Sequence, residues 1–223
     1  MSAVRIAVDG PAGAGKGAVC RAVAQRFQMP YLDTGSIYRA VGLLSIRSGQ
    51  LDPEKLARAA QVMDYLFKDM GDGSFGAFLG GENVTTELRQ EATGERASQV
   101  AAMPQVREAL LAFQRTYGAG GHRILDGRDV GTVVWPDADL KIFLTASLEE
   151  RANRRALELQ AKGEAVSVQQ ICDRMAERDA RDSGRDHAPM ISAADAVVVD
   201  TTHLTLEESI EQVVRLVEPL VGG

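Results

Sequence analysis

The fold of this chain is decided by one glycine-rich stretch near its start, Gly10-Pro11-Ala12-Gly13-Ala14-Gly15-Lys16-Gly17. It follows the apolar run Val4–Asp9 and precedes a helical pattern, so it predicts a turn between a strand and a helix. In such a turn, backbone N–H groups and the positive end of the helix point at one anion. Lys16 adds a charge that reaches the β- and γ-phosphates of a nucleotide. The stretch therefore predicts a nucleotide-binding phosphate loop, with a chance glycine-rich turn as the alternative.

The loop departs from the pattern G-x-x-x-x-G-K-[ST] at one position. Gly17 stands where the pattern has a hydroxyl residue, and Ala18 follows it. The loop therefore brings no Ser or Thr to a magnesium ion. It predicts nucleotide binding without specifying the reaction.

Length and composition limit the classes of protein to consider. The 223 residues fit one domain with an insertion, or one domain and a small subdomain. A net charge of −6 argues against nucleic-acid and membrane partners, which favour basic surfaces. The chain lacks a long apolar run and enters a strand within four residues, so neither a membrane anchor nor a signal peptide is expected. Cys20 and Cys172 lie in helical patterns and predict buried thiols in the cytoplasm.

Strand and helix patterns alternate along most of the chain. Continuous apolar runs predict strands buried on both faces at 5–8, 123–125, 140–144 and 196–199, with a shorter strand at 29–32. Helical patterns cover 16–27, 34–48, 90–115, 148–162, 168–181 and 206–220. This order predicts a doubly wound α/β fold, with a five-stranded parallel sheet and helices on both faces. Ligands of such sheets bind at the carboxyl ends of the strands. Four polar residues fall just past strand ends there: Asp9, Asp33, Asp126 and Thr145.

The region 64–88 interrupts this alternation. Turn signals at 71–73 and 80–83 flank the segment 74–79, which predicts a small antiparallel hairpin. An insertion of this kind in an α/β core commonly covers a ligand. The alternative is an excursion without function.

Arginines dominate the basic residues, with 20 Arg against 5 Lys. Arg174, Arg178, Arg181 and Arg185 are spaced by four, three and four residues, which places them on one helical stripe running into the loop 182–185. Such a stripe repels itself unless an anion or carboxylates neutralise it. With the cluster Arg151, Arg154 and Arg155 and a flexible tip at 163–165, the pattern predicts an arginine-bearing helical hairpin that closes over phosphates. The alternative is an ion-paired surface neutralised by Glu177, Asp179 and Asp182.

A second polar cluster follows the strand 123–125. Asp126 at the end of a strand beside a phosphate loop suits magnesium, held directly or through water. Arg128 and Asp129 offer a phosphate binder and a hydrogen-bond acceptor. Thr34 is placed to cap the helix 34–48, which is compatible with substrate binding, and Arg39 lies about a turn and a half inside it.

These residues resemble the bacterial cytidylate (CMP) kinase family of P-loop nucleoside monophosphate kinases. The resemblance runs nearly end to end, through 10–17, 32–39, 97–101, Val106-Arg107, 126–134 and 177–182. It implies a P-loop NTPase-type core at 1–40 and 116–223 with a helical lid at about 150–186, and a nucleoside monophosphate (NMP) binding insertion at 41–115. It also implies transfer of the γ-phosphoryl group from ATP to CMP or dCMP with Mg²⁺, in a cytoplasmic monomer.

The resemblance also implies roles for individual residues. Catalysis falls to Lys16, Arg128, Arg178, Arg181 and Asp126, and Asp126 also holds the metal indirectly. ATP binding falls to Gly10, Pro11, Ala12, Gly13, Ala14, Gly15, Lys16, Gly17, Ala18 and Arg154. The family usually has a hydroxyl residue where Ala18 stands, which affects one α-phosphate contact. CMP binding falls to Thr34, Tyr38, Arg39, Ser98, Arg107, Arg128, Asp129, Arg178, Asp182 and Arg185.

Two other functions fit parts of the sequence. A phosphate-loop kinase for another nucleotide or a small metabolite such as shikimate would share the loop, but it does not need Ser98, Arg107 and Asp129 together. A regulator that binds a nucleotide without catalysis is supported only by the missing hydroxyl at positions 17 and 18.

Overall fold

The computed structural model describes residues 3–72, 74–161 and 163–221. Gly73, in the predicted turn, and Lys162, in the predicted helix 148–162, lie outside these ranges. The chain divides into two compact units. Unit one comprises Met1–Pro30 and Gly120–Gly223, and unit two comprises Tyr31–Ala119.

The elements alternate between strand and helix in unit one and are mixed in unit two. In chain order they are β1 (Arg5–Asp9), α1 (Lys16–Arg26), β2 (Tyr31–Asp33), α2 (Thr34–Ser48), α3 (Pro53–Val62), β3 (Tyr65–Asp69), β4 (Phe75–Leu79), β5 (Glu82–Asn83), α4 (Thr85–Leu88), α5 (Glu91–Val100), α6 (Pro104–Thr116), β6 (Arg123–Gly127), a π-helical turn (Val130–Val134), β7 (Leu140–Thr145), α7 (Leu148–Gln160), α8 (Val168–Ser183), β8 (Val197–Asp200) and α9 (Leu206–Val221).

The main sheet has five strands in the order β2-β6-β1-β7-β8. β1 pairs in parallel with β6 and β7, and β7 pairs in parallel with β8. The central strands are apolar because both of their faces are covered, and Ile6, Val8 and Ile124 are fully buried. These findings confirm the predicted α/β fold with a parallel five-stranded sheet.

One predicted strand differs in its environment. The run 196–199 was expected to be buried on both faces, but β8 is one of the two edge strands, and Val197 and Val198 are 41% and 60% exposed. That prediction is wrong because an apolar run does not show whether a strand is central or at an edge. None of the helices in the described ranges combines the length and apolar composition needed to cross a membrane.

Unit two contains the antiparallel sheet β3-β4-β5, which confirms the predicted hairpin and adds a third strand to it. Three rings pack together beside this sheet, with Phe67 and Phe75 stacked at 5.4 Å and Tyr31 at 5.1 Å from Phe75 in an edge contact. α2 and α5 approach so closely that a Cβ on Gly42 would lie 2.9 Å from the backbone nitrogen of Ala97.

Two predictions about the helices of unit two are wrong. The pattern 90–115 is not one helix, because α5 ends at Val100 and α6 begins at Pro104, and proline is favoured at the first position of a helix. Thr34 does not cap α2. The cap is Asp33, whose carboxylate accepts from the backbone N–H of Ser36 at 3.3 Å.

Candidate active site

The glycine-rich stretch joins β1 to α1. β1 ends at Asp9 and α1 begins at Lys16, which confirms the predicted turn between a strand and a helix. Gly10 has φ +145°, and a Cβ there would lie 1.9 Å from the carbonyl oxygen of Leu144. Gly13 has φ +78°, which residues with side chains rarely adopt. Glycine is therefore required at both positions, and neither position places a side chain over the loop backbone.

Lys16 holds its ammonium group against this loop. Nζ donates to the carbonyl oxygens of Gly10 and Pro11, each at 2.9 Å, and the residue is buried. Both of these acceptors are neutral. A phosphate oxygen is a stronger partner for an ammonium group than a carbonyl oxygen, because the hydrogen bond is then assisted by charge on both sides. The structure therefore places the Lys16 ammonium group at the loop for which the sequence predicts phosphate binding.

Asp9, the last residue of β1, connects the phosphate loop to a second segment. Its Oδ1 accepts from the backbone N–H of Val130 at 2.8 Å, and its Oδ2 accepts from the N–H of Gly131 at 2.7 Å. Burial raises the pKa of the Asp9 carboxyl to about 6, although the two N–H donors favour the charged form. The sequence placed Asp9 at a strand end but gave it no role.

The segment that follows β6 turns sharply around a buried aspartate. Asp126 and Asp129 are both buried, and the carbonyl oxygen of Asp129 accepts from the N–H groups of Val133 at 2.9 Å and Val134 at 3.3 Å. The turn is a π-helical one that begins at Val130. Single π-helical turns often occur at functional sites. This turn fixes the backbone on the carboxyl side of Asp129.

Asp182 in α8 is the centre of an arginine cluster. Its Oδ2 accepts from Nε of Arg128 at 3.0 Å, Arg185 donates to its Oδ1, and Nε of Arg178 lies 4.0 Å from Oδ2. The Asp182 side chain is 2% exposed. The structure therefore brings together four predicted site residues from two segments that are far apart in sequence.

The arginine stripe of α8 is divided by burial. Arg178 and Arg185 are partly buried beside Asp182, whereas Arg174 and Arg181 are exposed. Arg178 and Asp182 are four residues apart and share a helix face. Arg181 precedes Asp182 directly and projects about 100° away from it. The loop predicted at 182–185 begins later, because α8 continues to Ser183 and the N–H of Gly184 donates to Ala180 at its end.

Arg151 in α7 is bonded both to the phosphate loop and to α8, the other helix of the hairpin. Nη1 of Arg151 in α7 donates to the carbonyl oxygen of Ala12 at 3.1 Å and to Oδ2 of Asp179 in α8 at 2.6 Å. Its Nε donates to Ala146 at 3.0 Å. Arg151 had been predicted only as one member of a basic cluster. Its spacing to Arg154 carried no signal for a contact with residue 12, which is 139 positions away.

Arg154 lies on the next turn of α7, beside the same loop. Nη2 donates to the carbonyl oxygen of Thr201 at 2.6 Å and Nη1 to its hydroxyl at 3.1 Å. The Thr201 hydroxyl also lies 3.4 Å from the carbonyl oxygen of Ala14, a loop residue. The structure thus places Arg154 beside the loop that it was predicted to serve. Thr201 was missed because it lies in a short polar turn with no motif.

Unit two carries five predicted CMP-binding residues on three helices. Thr34, Tyr38 and Ser98 are buried. The guanidinium of Arg107 lies 5.3 Å from the centre of the Tyr38 ring, a cation–π distance, and its Nη1 donates to Ala101 at 3.2 Å. Nη1 of Arg39 donates to the carbonyl oxygen of Leu88 at 2.8 Å. Tyr38 and Arg107 are therefore in contact, and Arg39 is fixed by the backbone of α4.

Unit two also holds a buried polar pair that the sequence did not single out. The Tyr65 hydroxyl donates to Oγ of Ser36 at 2.7 Å, and burial raises the pKa of the Tyr65 phenol. Ser36 also donates to the carbonyl oxygen of Asp33. These bonds link β3 to the first turn of α2, which positions Thr34 and Tyr38.

The chain is similar to known proteins over nearly its whole length. The family model described as Cytidylate kinase matches residues 6–219. A cytidylate kinase of Magnetococcus marinus is 61% identical over 218 residues, covering 98% of this chain and 97% of that protein. A cytidylate kinase of Salmonella arizonae is 46% identical over 212 residues, covering 94% of this chain and 93% of that protein.

Solved structures resemble the chain at the level of fold. An uncharacterised protein from Eubacterium ventriosum aligns with a TM-score of 0.52 at 10% identity, covering 98% of this chain and 99% of that one. A protein from Thermus thermophilus aligns with a TM-score of 0.50 at 18% identity, covering all of both chains. The phosphate loop, the arginine cluster and a family match over nearly the whole length lead to one conclusion: the chain belongs to the cytidylate kinase family.

Proposed function

We propose that this protein transfers the γ-phosphoryl group of ATP to CMP and dCMP, giving CDP or dCDP and ADP. The observation that carries the proposal is the phosphate loop, to whose carbonyl oxygens the Lys16 ammonium group is bonded. The relatives of this chain that are named cytidylate kinases support it as well. In phosphoryl transfer the protein supplies position and charge rather than covalent chemistry. The roles of the residues follow from that requirement.

The donor nucleotide binds through the loop 10–18. Its backbone N–H groups and the N-terminus of α1 bind the phosphates of ATP, and Lys16 exchanges its carbonyl partners for phosphate oxygens. Arg154 lies beside Gly15, since its Nη1 is 4.0 Å from the position of a Cβ on that glycine. We therefore assign Arg154 to ATP. Gly17 and Ala18 contribute backbone only, so this loop binds phosphate with one hydroxyl fewer than relatives that carry one there.

The arginines stabilise the charge that spreads over the transferring group. Arg128 and Arg185 are paired with the buried carboxylate of Asp182, and Arg178 lies 4.0 Å from it, so the three guanidinium groups are held close together. Guanidinium groups that are already oriented lower the barrier because they need no reorganisation during the reaction. Arg181, exposed on the same helix, is assigned to the transferring phosphoryl group as well. Asp182 orients the arginines and accepts hydrogen bonds from the sugar hydroxyls.

Cytosine is distinguished from uracil by the direction of its hydrogen bonds. Cytosine presents a donor at N4 and an acceptor at N3, and uracil presents the reverse. Asp129 as a carboxylate only accepts, and Arg107 only donates, so we assign Asp129 to N4 and Arg107 to N3, with Ser98 completing the base site. Thr34, Tyr38 and Arg39 serve the phosphate and ribose of CMP. Each reversed contact in a closed site costs about 1–3 kcal/mol.

Magnesium fits the residues present. Asp126 is buried at the end of β6, in register with Val8, two residues before the phosphate loop. Among the residues in the described ranges, no group of three His, Cys, Asp or Glu side chains could hold a metal by itself. One carboxylate combined with phosphate oxygens and waters is a usual ligand set for Mg²⁺. When bound, the ion neutralises phosphate charge, and Asp126 is the residue that would hold it, directly or through water.

The remaining assignments concern the setting of the enzyme. We assign the core to 1–40 and 116–223, the lid to about 150–186 and the NMP-binding insertion to 41–115. The partners are the nucleotides ATP, CMP and dCMP, without nucleic acid or membrane, and the protein acts as a monomer in the cytoplasm.

A coupled assay of ADP release tests the function. CMP and dCMP should turn over, UMP should be slower by roughly 10³-fold in kcat/KM because two polar contacts are reversed, and AMP should fail on size. Asp129→Asn should lower the ratio of kcat/KM for CMP over UMP. A preference for AMP or shikimate would contradict the proposal in favour of another kinase. Binding of ATP without ADP release for any acceptor would point to a regulator without catalysis.

A further inference from the structure

We infer that Asp9 is a positioning residue for base recognition, because its carboxylate holds the backbone of the segment that presents Asp129. It accepts from the N–H groups of Val130 and Gly131, the two residues that follow Asp129. The inference rests on the proposed function, in which Asp129 binds the cytosine amino group. It extends that function to the last residue of β1, which pairs in register with Gly127 at the end of β6.

The N–H groups that Asp9 holds belong to a stretch of backbone whose carbonyl groups are bonded as well. The carbonyl oxygen of Asp129 accepts from Val133 and Val134. The peptide units that flank Asp129 on its carboxyl side therefore have all their polar groups bonded at 2.7–3.3 Å. Because Cα of Asp129 is attached to this unit, its carboxylate has little freedom other than its own side-chain rotation.

The lack of a side chain at Gly131 leaves room for the Asp9 carboxylate beside it. A Cβ on Gly131 would lie 3.3 Å from Oδ2 of Asp9 and 3.3 Å from the side-chain carbons of Lys141. The φ of Gly131 is not in the left-handed region, so a glycine is not needed there for its backbone conformation. A methyl group on residue 131 would therefore crowd both the Asp9 carboxylate and the Lys141 side chain.

The surroundings of Asp9 explain why a charged group is kept there. Asp9 is 5% exposed and faces the negative charge of Asp129 and the positive charge of Lys16, with Lys141 and Asp126 on the neighbouring strands. An apolar residue would fill the space as well but would leave two buried N–H groups without acceptors. Asp9 is also the residue before Gly10, so one side chain joins the start of the phosphate loop to the base-binding segment.

The test compares Asp9→Asn with a matched stability control. The amide keeps the shape of the carboxylate but offers one acceptor and one donor, so it opposes one of the two N–H groups. We expect KM for CMP to rise at least tenfold and the ratio of kcat/KM for CMP over UMP to fall at least tenfold, with KM for ATP changing less than threefold. Gly131→Ala crowds the same hydrogen bond from the side of its donor. It should therefore also raise KM for CMP and lower the ratio of kcat/KM for CMP over UMP.

Val213→Ala, in the fully buried part of α9, provides the control, because it destabilises unit one from a helix that packs against α1. It should lower the melting temperature and leave KM for CMP and the CMP to UMP ratio unchanged. The inference is overturned if Asp9→Asn alters only the melting temperature, or if it raises KM for ATP and not for CMP. Asp129→Asn distinguishes failure of the proposed function from failure of the inference. If Asp129→Asn leaves the ratio of kcat/KM for CMP over UMP unchanged, the assignment of Asp129 to the base fails. If it changes this ratio while Asp9→Asn does not, only the inference about Asp9 fails.

Discussion

The carboxylate of Asp182 and the guanidinium of Arg128 form an ion pair at 3.0 Å that is almost removed from solvent. Arg128 comes from the loop after β6, and Asp182 comes from the last turn of α8. Arg185 and Arg178 approach the same carboxylate. Asp182 is therefore a common carboxylate partner of three guanidinium groups.

Asp182→Asn should destabilise the nucleotide-free protein by about 3–5 kcal/mol, because it removes the charge of a buried carboxylate that is ion-paired with Arg128 and Arg185. Urea unfolding measures this loss. Added ATP should recover more stability in the variant than in the unaltered protein, since phosphate replaces the missing carboxylate. Glu211→Gln, which breaks the exposed pair with Arg26, should cost less than about 1 kcal/mol. Equal effects of the two variants would show that Asp182 is not the anchor of the cluster.

Lys16→Ala should lower kcat by about two orders of magnitude or more, on the scale of losing one preorganised charged donor. Steady-state kinetics with saturating ATP and CMP measure this change. Lys55→Ala, on the exposed surface of α3, should leave kcat unchanged. A Lys16 variant that keeps most of its kcat would remove this lysine from the mechanism.

Ala18→Thr should lower KM for ATP or leave it level, since the new hydroxyl adds at most one hydrogen bond to phosphate, worth about 1.5–3 kcal/mol before the cost of ordering it. Ala18 is partly buried near the start of α1, so the larger side chain has some access to solvent. Ala18→Ser serves as the control of smaller volume. A marked loss of activity in Ala18→Thr but not in Ala18→Ser would show that the loop is packed around the methyl group.

Arg178→Ala and Arg181→Ala should each reduce kcat/KM by at least tenfold while changing the melting temperature little, because closure of the site excludes water and strengthens charge contacts. Arg174, exposed one turn earlier in α8, provides the matched control. Arg174→Ala should leave kcat/KM within twofold. If Arg178→Ala or Arg181→Ala lowers the melting temperature by many degrees with normal kinetics, that arginine is structural.

Asp9 should make stability depend on pH between about 4 and 6. Its pKa is about 6 in the folded protein against an ordinary value of 3.8, mainly because of burial. The folded state then binds more protons than the unfolded state in this range, so the free energy of unfolding falls as pH rises, by about 3 kcal/mol in all, and is level above pH 6.

Urea unfolding of the unaltered protein and Asp9→Asn over pH 4–7 measures this dependence. The difference in the free energy of unfolding between the two proteins should shrink as pH rises and then become constant. Val213→Ala, which changes no titratable group, should show a difference that is independent of pH. A constant difference for Asp9→Asn would mean that Asp9 ionises alike in the folded and unfolded states.

Features that are continuous in sequence could be predicted. The strand, loop and helix around Lys16 follow one another without interruption, and positive φ values at Gly10 and Gly13 match the glycines of the motif. The parallel sheet followed from apolar runs separated by helical patterns. The helix 34–48 was predicted with the bounds that the structure shows.

Features that depend on contacts between residues far apart in sequence could not be predicted. The bonds of Asp9 to Val130 and Gly131 span more than 120 positions and exist only because β1 and β6 are neighbours. The exposure of Val198 depends on the order of the strands in the sheet, and the break before Pro104 was hidden by apolar residues that continue the helical period on both sides. Asp33 and Thr34 are both good caps, and only the backbone shows which of them precedes the first helical turn.

The contacts of Arg151 should affect how the amide hydrogens of the loop and of α8 exchange with solvent. One nitrogen of this side chain reaches both the carbonyl of Ala12 and the carboxylate of Asp179, so the loop and α8 are joined through a single atom. Opening of either partner must break a bond to the other or carry it along. Amide hydrogens of residues 12–16 and of the last turns of α8 should therefore exchange with deuterium at linked rates, and Arg151→Lys, which cannot span both acceptors in the same way, should make the two rates independent.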